Sequence, residues 1–473
     1  MSASAVIDRP DVPVSIAAGR PAERALARFL TGLNGQVVLP GFPTWDQARR
    51  SWNLRYDPQP LAVVRAADAT DVAATVRFAR EQDVPLTIRS GGHSLAGYSG
   101  ADGALLLDLG NLRSLDIDPA ARLATAGPGL RAGEYSAAAV SHGLGTSFGD
   151  TGTVGLGGLI TGGGIGWLTR AYGMTIDSLV SADVVTADGE IRTVDATHEP
   201  DLFWGLRGGG GNFGIATSFR LRLHPVDRFL GGAIALPARV DVVRAVLEAA
   251  DTAPDGLTLI PTLMRIPPLP FVPVEHHGTP SLVVLVAWVG DAEAGQRALA
   301  PIRSIAPAMG DMIAPMPYPA IYSLTEEAGT PTADASRSAF LDDIDDAAIA
   351  GFIEGIETST AEMTLIQLRV LGGAMGRVAP EATAFAHRSA RIMTVMIAAS
   401  ADPATVPVSE AWTIRMHELV AARSTGVYVN FLHREGTARI RQAYPGSTYD
   451  RLAALKRQWD PTNLFRFNQN IQP

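Results

Sequence analysis

The sequence contains no cysteine among its 473 residues. Disulfides, iron–sulfur clusters, cysteine-ligated zinc sites and cysteine nucleophiles are therefore excluded. A protein without disulfides suits a reducing compartment, so we expect a cytoplasmic location.

Long runs of one kind of residue are also missing from the sequence. The net charge is −9, and the 39 basic and 48 acidic residues are mixed, so we predict no nucleic-acid partner. No stretch approaches the roughly 18 uncharged apolar residues of a membrane span. Near the N-terminus, Asp8, Arg9 and Asp11 interrupt the apolar core that a signal peptide needs. We predict no membrane attachment and no metal site.

The first half of the sequence alternates segments typical of strands with segments typical of helices. Residues 60–67 and 84–90 read as buried strands, and residues 70–83 between them read as an amphipathic helix with Thr70 as its N-cap. The loop "SGGHS" follows the second of these strands directly. Ligands commonly bind at such strand ends, so this loop is a candidate site.

The second half of the chain differs in composition, because the glycine clusters stop after Pro225. Its apolar runs alternate with helical patterns, which predicts a second α+β unit over residues 228–425. The predicted strands lie within residues 256–266, 281–290 and 362–378, and the predicted helices span residues 241–253, 292–305 and 345–358.

Three glycine clusters occupy the first half, at residues 90–93, 155–166 and 207–214. Backbone N–H groups in such loops can surround phosphate oxygens, so three clusters together favour a cofactor that carries a pyrophosphate. A nicotinamide cofactor is the weaker reading, because the strand, loop, helix and acidic residue of a Rossmann motif are not in place. We expect residues 149–166 to be too rich in glycine for a stable helix.

Four ordered motifs carry a family resemblance: "RSGGHSLAGYSG", "GTVGLGGLITGGGIGWLTRAYG", "DLFWGLRGGGGNFGI" and "YDRLAALKRQWDPTNLFRFNQNI". Together they resemble the berberine-bridge-enzyme-like branch of the vanillyl-alcohol oxidase superfamily, whose members are flavin-linked oxidases. The resemblance implies an α+β fold, in which a PCMH-type FAD-binding domain of two α/β subdomains precedes a substrate domain with an antiparallel sheet covered by helices. The implied segments are a leader with a first helix (1–30), the FAD-binding domain (31–227), the substrate domain (228–425) and a returning C-terminal segment (426–473).

The same resemblance implies that His93 bonds covalently to the 8α-methyl carbon of FAD. Many members add a second bond from a cysteine, and Thr151 stands at the matching place here, so we predict attachment through His93 only. Val154 is similar to the residue that leaves room for O2 beside the flavin in oxidases. The further cofactor-binding residues that the resemblance implies are Arg89, Ser90, Gly91, Gly92, Ser94, Thr153, Val154, Gly155, Gly157, Gly158, Gly162, Gly163, Gly164, Gly214, Ile215, Asn430, Asn468 and Asn470.

Oxidation of a substrate by a flavin also needs a group that accepts a proton. Tyr428 is the first candidate, with Arg369 expected to lower its pKa. His387 is another, and Gln367 can only orient a substrate. Tyr428 and His387 can equally be packing residues.

Together, the motifs and the resemblance predict an FAD-dependent oxidase that takes a hydride from a small-molecule natural product and reacts with O2 to give H2O2. A dehydrogenase of the same fold is the alternative. We expect a monomer or a homodimer.

Overall fold

The protein builds most of its strands into three sheets, and helices cover them. The computed structural model describes residues 21–473, so most of the predicted leader lies outside the described residues. The mixture of helices with largely antiparallel sheets confirms the predicted α+β class. No helix in this part of the chain combines the length and the apolar character needed to cross a bilayer.

The first sheet has four strands in the order β1–β2–β4–β3, and β4 pairs in parallel with both β2 and β3. The N-cap of its helix α3 lies two residues earlier than predicted, because the carboxylate of Asp68, and not Thr70, caps the helix by accepting from the N–H groups of Thr70 and Asp71. The elements are α1 (Pro21–Thr31), β1 (Gln36–Val38), α2 (Trp45–Arg49), β2 (Ala62–Arg65), α3 (Ala69–Glu81), β3 (Leu86–Arg89) and β4 (Leu105–Asp108).

The second sheet is antiparallel, with strand order β5–β6–β10–β8–β9, and a short β7–β11 pair accompanies it. Its strands are β5 (Leu115–Asp118), β6 (Leu123–Ala126), β8 (Leu179–Val185), β9 (Ile191–Asp195) and β10 (Ile215–Arg222), and the pair is β7 (Leu144–Gly145) with β11 (His224–Pro225). The helices are α4 (Ala132–Val140), α5 (Leu156–Gly162), α6 (Thr169–Tyr172), α7 (Thr175–Ser178) and α8 (Pro200–Leu206).

Helix α5 corrects the expectation that the glycine-rich segment 149–166 forms no helix. Each glycine costs a helix about 1 kcal/mol relative to alanine. Leu156, Leu159 and Ile160 are buried in the core, however, and tertiary packing of an apolar face supplies most helical stability in proteins.

The third sheet is antiparallel and has eight strands, with β15–β12–β14–β13–β18–β19–β17 in order and β16 also on β12. They are β12 (Phe229–Pro237), β13 (Leu257–Arg265), β14 (Pro280–Val289), β15 (Gly310–Asp311), β16 (Ala314–Pro315), β17 (Ala333–Leu341), β18 (Met363–Val370) and β19 (Ile392–Ser400). Four helices pack on one face: α9 (Val240–Asp251), α10 (Ala292–Arg303), α11 (Asp346–Glu357) and α12 (Val406–Glu418).

The strand alternation of this sheet decides which residues face the site. On β18, Ile366 and Leu368 join the core beneath the helices, whereas Leu365, Gln367 and Arg369 line a cavity on the opposite face. Successive side chains of a strand point to opposite faces, so the apolar–polar alternation of "TLIQLRV" becomes one dry face and one functional face.

The C-terminal segment, with α13 (Thr437–Ala443) and α14 (Ser447–Trp459), packs against the first half of the chain. A fully buried ion pair, Lys456 with Asp460 at 2.7 Å, holds its end. The Lys456 ammonium also donates to the carbonyls of Asn212 and Phe465, and Asp460 accepts from the N–H groups of Leu464 and Phe465. Burial lowers the pKa of Lys456, and the negative charge of Asp460 opposes this shift.

Replacing Lys456 by Met should lower the free energy of unfolding by about 3–5 kcal/mol, because Asp460 then stays buried without its partner. Urea unfolding followed by fluorescence measures this loss. Arg457→Met is the matched control, since Arg457 is exposed on the same helix. Equal stability of the two variants would contradict the assignment.

Candidate active site

A cavity of about 830 Å³ lies between the glycine-rich loops of the first half and the helix-free face of the third sheet. Its volume falls within the range of about 300–1,000 Å³ that is usual for small-molecule sites. Residues of the C-terminal segment, such as Tyr428 and Asn468, complete the wall. Three separate stretches of the chain therefore converge on one site.

The loop that carries His93 is pressed against the start of α5. A Cβ atom on Gly91 would lie 2.2 Å from the backbone nitrogen of Gly155, which no side chain permits. Beside this contact, Ser90 Oγ donates to the carbonyl of Pro128 at 2.6 Å and accepts from the N–H of Gly157 at 3.1 Å. Arg89, the last residue of β3, pairs with Asp108 at 2.6 Å. These contacts fix the backbone on which His93 stands.

His93 lies at the cavity wall between a hydroxyl and an aromatic ring. Its Nε2 is 3.1 Å from Thr153 Oγ1, and its ring stacks on Trp52 with centroids 5.1 Å apart. Burial, helped by the positive charge of Arg131, lowers the pKa of His93 to about 4. The imidazole is therefore neutral at pH 7, and one ring nitrogen keeps a free lone pair.

Most of the predicted cofactor-binding residues lie on the cavity wall. These are Arg89, Ser90, Gly91, Gly92, His93, Ser94, Val154, Gly155, Gly157, Gly158, Gly164, Gly214, Ile215, Asn430 and Asn468. Thr153 does not line the wall but contacts His93.

Gly162, Gly163 and Asn470 do not line the cavity. The space where a Gly162 Cβ would stand is filled by the amide of Asn430, 2.0 Å away, and that of Gly163 by Met174 and Tyr428. These two glycines allow the end of α5 to pack closely against the C-terminal segment. The Oδ1 atom of Asn470 is buried and has no hydrogen-bond partner among residues 21–473.

His387 also lies away from the cavity, which removes the geometric basis for its predicted catalytic role. Its Nε2 donates to the carbonyls of Gln442 and Ala443 at 3.0 and 3.2 Å, and its ring packs against Phe340 and Phe385. His387 is a buried packing residue that ties α13 to the end of the sheet.

Tyr428 lines the cavity as predicted, but the expected lowering of its pKa is wrong. Burial raises the pKa of Tyr428 to about 12, and this outweighs the hydrogen bonds from Gly164 and Asn430 and the positive charge of Arg369. The Tyr428 hydroxyl accepts from the N–H of Gly164 at 2.7 Å and from Asn430 Nδ2 at 3.0 Å. At neutral pH Tyr428 is a protonated phenol, and its hydroxyl binds the backbone N–H of Gly164, two residues after the end of α5.

A carboxylate that the sequence reasoning missed stands beside the predicted Gln367 and Arg369. Asp150 Oδ2 accepts from Arg369 Nη2 at 2.6 Å, and Arg369 also donates to Gln367 Oε1. All three side chains line the cavity. The sequence does single out Asp150, because it is the one charged residue in the stretch 147–169, and an isolated charge in such a stretch indicates a functional role. Trp52, which was also missed, gave no comparable signal.

Comparisons with known proteins agree with this geometry. A family model described as FAD binding domain matches residues 60–195, and one described as berberine and berberine-like matches residues 427–472. The chain is 31% identical over 460 residues to (R)-6-hydroxynicotine oxidase of Paenarthrobacter nicotinovorans, covering 93% of this chain and 97% of the relative. This protein belongs to the berberine-bridge-enzyme-like family of FAD-linked oxidoreductases.

Solved structures show the same fold. The crystal structure of 6-hydroxy-D-nicotine oxidase from Arthrobacter nicotinovorans matches with a TM-score of 0.82 and 28% identity, over 93% of this chain and 98% of that one. Glucooligosaccharide oxidase from Acremonium strictum, which carries a 6-S-cysteinyl, 8α-N1-histidyl FAD, matches with a TM-score of 0.84 and 24% identity, over 95% of this chain and 99% of that one.

The cavity wall of this family member fits an FAD. Cβ atoms on Gly158 and Gly211 would meet nothing within 4 Å, so these glycines leave open space at the wall. Asn468 Oδ1 is buried at the same wall without a hydrogen-bond partner in the part of the chain described. The backbone of Gly91 to Ser94 provides further polar groups at the wall. Among residues 21–473, no cluster of three metal-ligating side chains is found.

Replacing Tyr428 by Phe should lower the free energy of unfolding by about 1–3 kcal/mol, because the buried N–H of Gly164 loses its acceptor. Chemical unfolding of the yellow holoenzyme measures this change. Tyr449→Phe is the control, since Tyr449 is buried away from the cavity and its hydroxyl makes no hydrogen bond to any residue in 21–473. A loss no larger than in the control would argue against the Tyr428 contact.

Proposed function

We propose that the protein is an FAD-dependent oxidase whose cofactor is attached through His93 alone. The observation that carries this proposal is the neutral, buried imidazole of His93 at the wall of a cavity suited to FAD. The absence of cysteine from the sequence rules out the second, cysteinyl bond named for the glucooligosaccharide oxidase.

We propose that the hydrogen bond to Thr153 selects the reactive nitrogen of His93 by fixing its tautomer. When Thr153 Oγ1 accepts from His93 Nε2–H, the lone pair of the neutral ring lies on Nδ1. In residues 21–473, Nδ1 has no hydrogen-bond partner, so it is the nitrogen free to bond the 8α-methyl carbon. Stacking on Trp52 holds the plane of the ring.

An FAD held by His93 and the glycine-rich loops would supply an acceptor at N5 for the hydride of the substrate, and O2 would take up the two electrons with two protons as H2O2. The chain's own residues do the rest. Val154, at the wall beside Thr153, resembles the residue type that admits O2. Beyond the cofactor region, Val283, Leu285, Met264 and Ile397 provide an apolar surface that excludes water from a substrate.

The substrate in this proposal is a small natural product with an oxidisable alcohol, amine or activated C–H group. The relative that acts on 6-hydroxynicotine supports a small heterocyclic substrate, and the apolar sheet face supports a ligand with an apolar body. A cytoplasmic monomer or homodimer remains our prediction for the enzyme's state.

Intact-protein mass spectrometry of the denatured protein should show the addition of one FAD. His93→Ala should abolish that addition, whereas His142→Ala, a substitution at an exposed histidine, should retain it. Covalent FAD in the His93→Ala variant would overturn the attachment.

H2O2 release should accompany turnover when the holoenzyme is screened with phenolic, sugar and alkaloid substrates. Reoxidation of the reduced flavin by air in a stopped-flow experiment tests the acceptor directly. Slow reoxidation by air, with fast reoxidation by an artificial dye, would identify a dehydrogenase instead.

A further inference from the structure

Arg369 offers no N–H group to a ligand in the cavity, because Nε and Nη2 donate to neighbouring side chains and Nη1 is shielded from solvent. Nη2 donates to Asp150 Oδ2 and to Gln367 Oε1, both at 2.6 Å, and Nε donates to Gln367 Oε1 at 2.9 Å. Nη1 is shielded from solvent and has no partner among the described residues. A void of about 10 Å³ adjoins Arg369 and Thr258, whose Oγ1 is also unpartnered, and this is room for one water. Arg369 is therefore a positioning residue.

Two polar atoms beside Arg369 do remain free. Asp150 Oδ1 and Gln367 Nε2 make no hydrogen bond to any residue in 21–473, and both keep solvent contact at the cavity wall. The orientation of the Gln367 amide is fixed, because a guanidinium only donates and so must face the amide oxygen. The wall thus presents one acceptor and one donor, and their sister atoms Asp150 Oδ2 and Gln367 Oε1 share Nη2 of Arg369 at 2.6 Å each.

A ligand that satisfies both atoms must donate one hydrogen bond and accept another. An alcohol O–H or a neutral amine N–H does both. A carbonyl cannot donate to Asp150, and an ammonium cannot accept from Gln367. Because the surroundings are apolar, a ligand that leaves either atom unpaired binds less tightly.

We propose that Asp150 Oδ1 and Gln367 Nε2, held by Arg369, form the recognition pair for the hydroxyl or neutral N–H of the substrate. This rests on the proposed function, in which that group adjoins the carbon that is oxidised. The hydroxyl donates to Asp150 and accepts from Gln367. Oxidation to a carbonyl removes the donor, so the same pair favours release of the product over the substrate.

Binding of two probes that do not react tests the pair without turnover. The first is 2-(2-naphthyl)-2-propanol, a tertiary alcohol without a hydrogen on its carbinol carbon, and the second is 2-acetylnaphthalene, which only accepts. Calorimetric titration of the yellow holoenzyme should show the alcohol binding about tenfold more tightly than the ketone. Equal affinities, or no binding of either probe, would overturn the proposal.

Asp150→Asn should invert this preference. The new amide must turn its oxygen to Arg369, so its NH2 group faces the cavity and the wall presents two donors. The ketone should then bind more tightly than the alcohol. A role of Asp150 in folding alone would not invert the ratio, and an unchanged ratio would refute the pair. Asp116→Asn, at an exposed aspartate on β5, should keep the wild-type ratio.

Gln367→Glu is the second variant, in case Asp150→Asn loses its flavin. At a pH high enough to ionise both carboxylates, one oxygen of the new carboxylate faces Arg369 and the other replaces the donor, so the ketone loses its partner and the alcohol-to-ketone ratio should rise. A falling ratio would contradict the proposal. Covalent FAD and H2O2 release are measured separately, so a failure of the oxidase proposal is distinguished from a failure of the recognition pair.

Discussion

The close approach of Gly91 to Gly155 is the constraint on which the site depends. Two backbones meet there without side chains between them, since a Cβ on either glycine would lie 2.2 Å from a backbone nitrogen of the other loop. This contact places His93 beside Thr153 and sets the start of α5 against Ser90. The chemistry of His93 follows from this placement, because burial at the contact keeps its ring neutral and Thr153 engages one of its two nitrogens.

The site also requires a second wall, on the side of the cavity opposite the glycine-rich loops. The alternation of apolar and polar side chains along β18 provides this wall. Ile366 and Leu368 anchor the strand under the helices, and this burial forces Gln367 and Arg369 to the other face. A slip of one residue in register would exchange the two faces. The antiparallel pairing of β18 with β13 and β19, for example Gln367 opposite Thr262 and Val395, prevents that slip.

Much of the site could be predicted from the sequence where the functional residues lie in short, contiguous motifs. The loop with His93 and the glycine clusters are short and contiguous, and the family resemblance gave each residue a place. Asp150 and Tyr428 show the limit. The pKa of Tyr428 depends on its complete burial and on Gly164, far away in sequence, and the partner of Asp150 is 219 residues away. Such long-range packing leaves no local pattern. The helix over the glycine-rich segment was missed for the same reason, since its stability comes from tertiary contacts of Leu156 and Ile160.

The pairing of Asp150 with Arg369 is better explained by function than by stability. Burying two charges costs several kcal/mol of desolvation per ion, and well-packed apolar residues often serve a fold as well. Met264, Leu365 and Ile397 on the same sheet face are apolar, so this face accepts apolar residues. What the pair provides instead is a carboxylate fixed in direction, with one oxygen bound and the other facing the cavity. Lys456 and Asp460 make the opposite case, because the hydrogen bonds of that buried pair all go to groups within the protein. Lys456 donates to the carbonyl of Asn212 in the first half, and the remaining partners, Leu464 and Phe465, lie in the C-terminal segment. The two ion pairs therefore differ in whether they leave a polar atom without a partner in the described residues. Around Arg369 two such atoms, Asp150 Oδ1 and Gln367 Nε2, face the cavity.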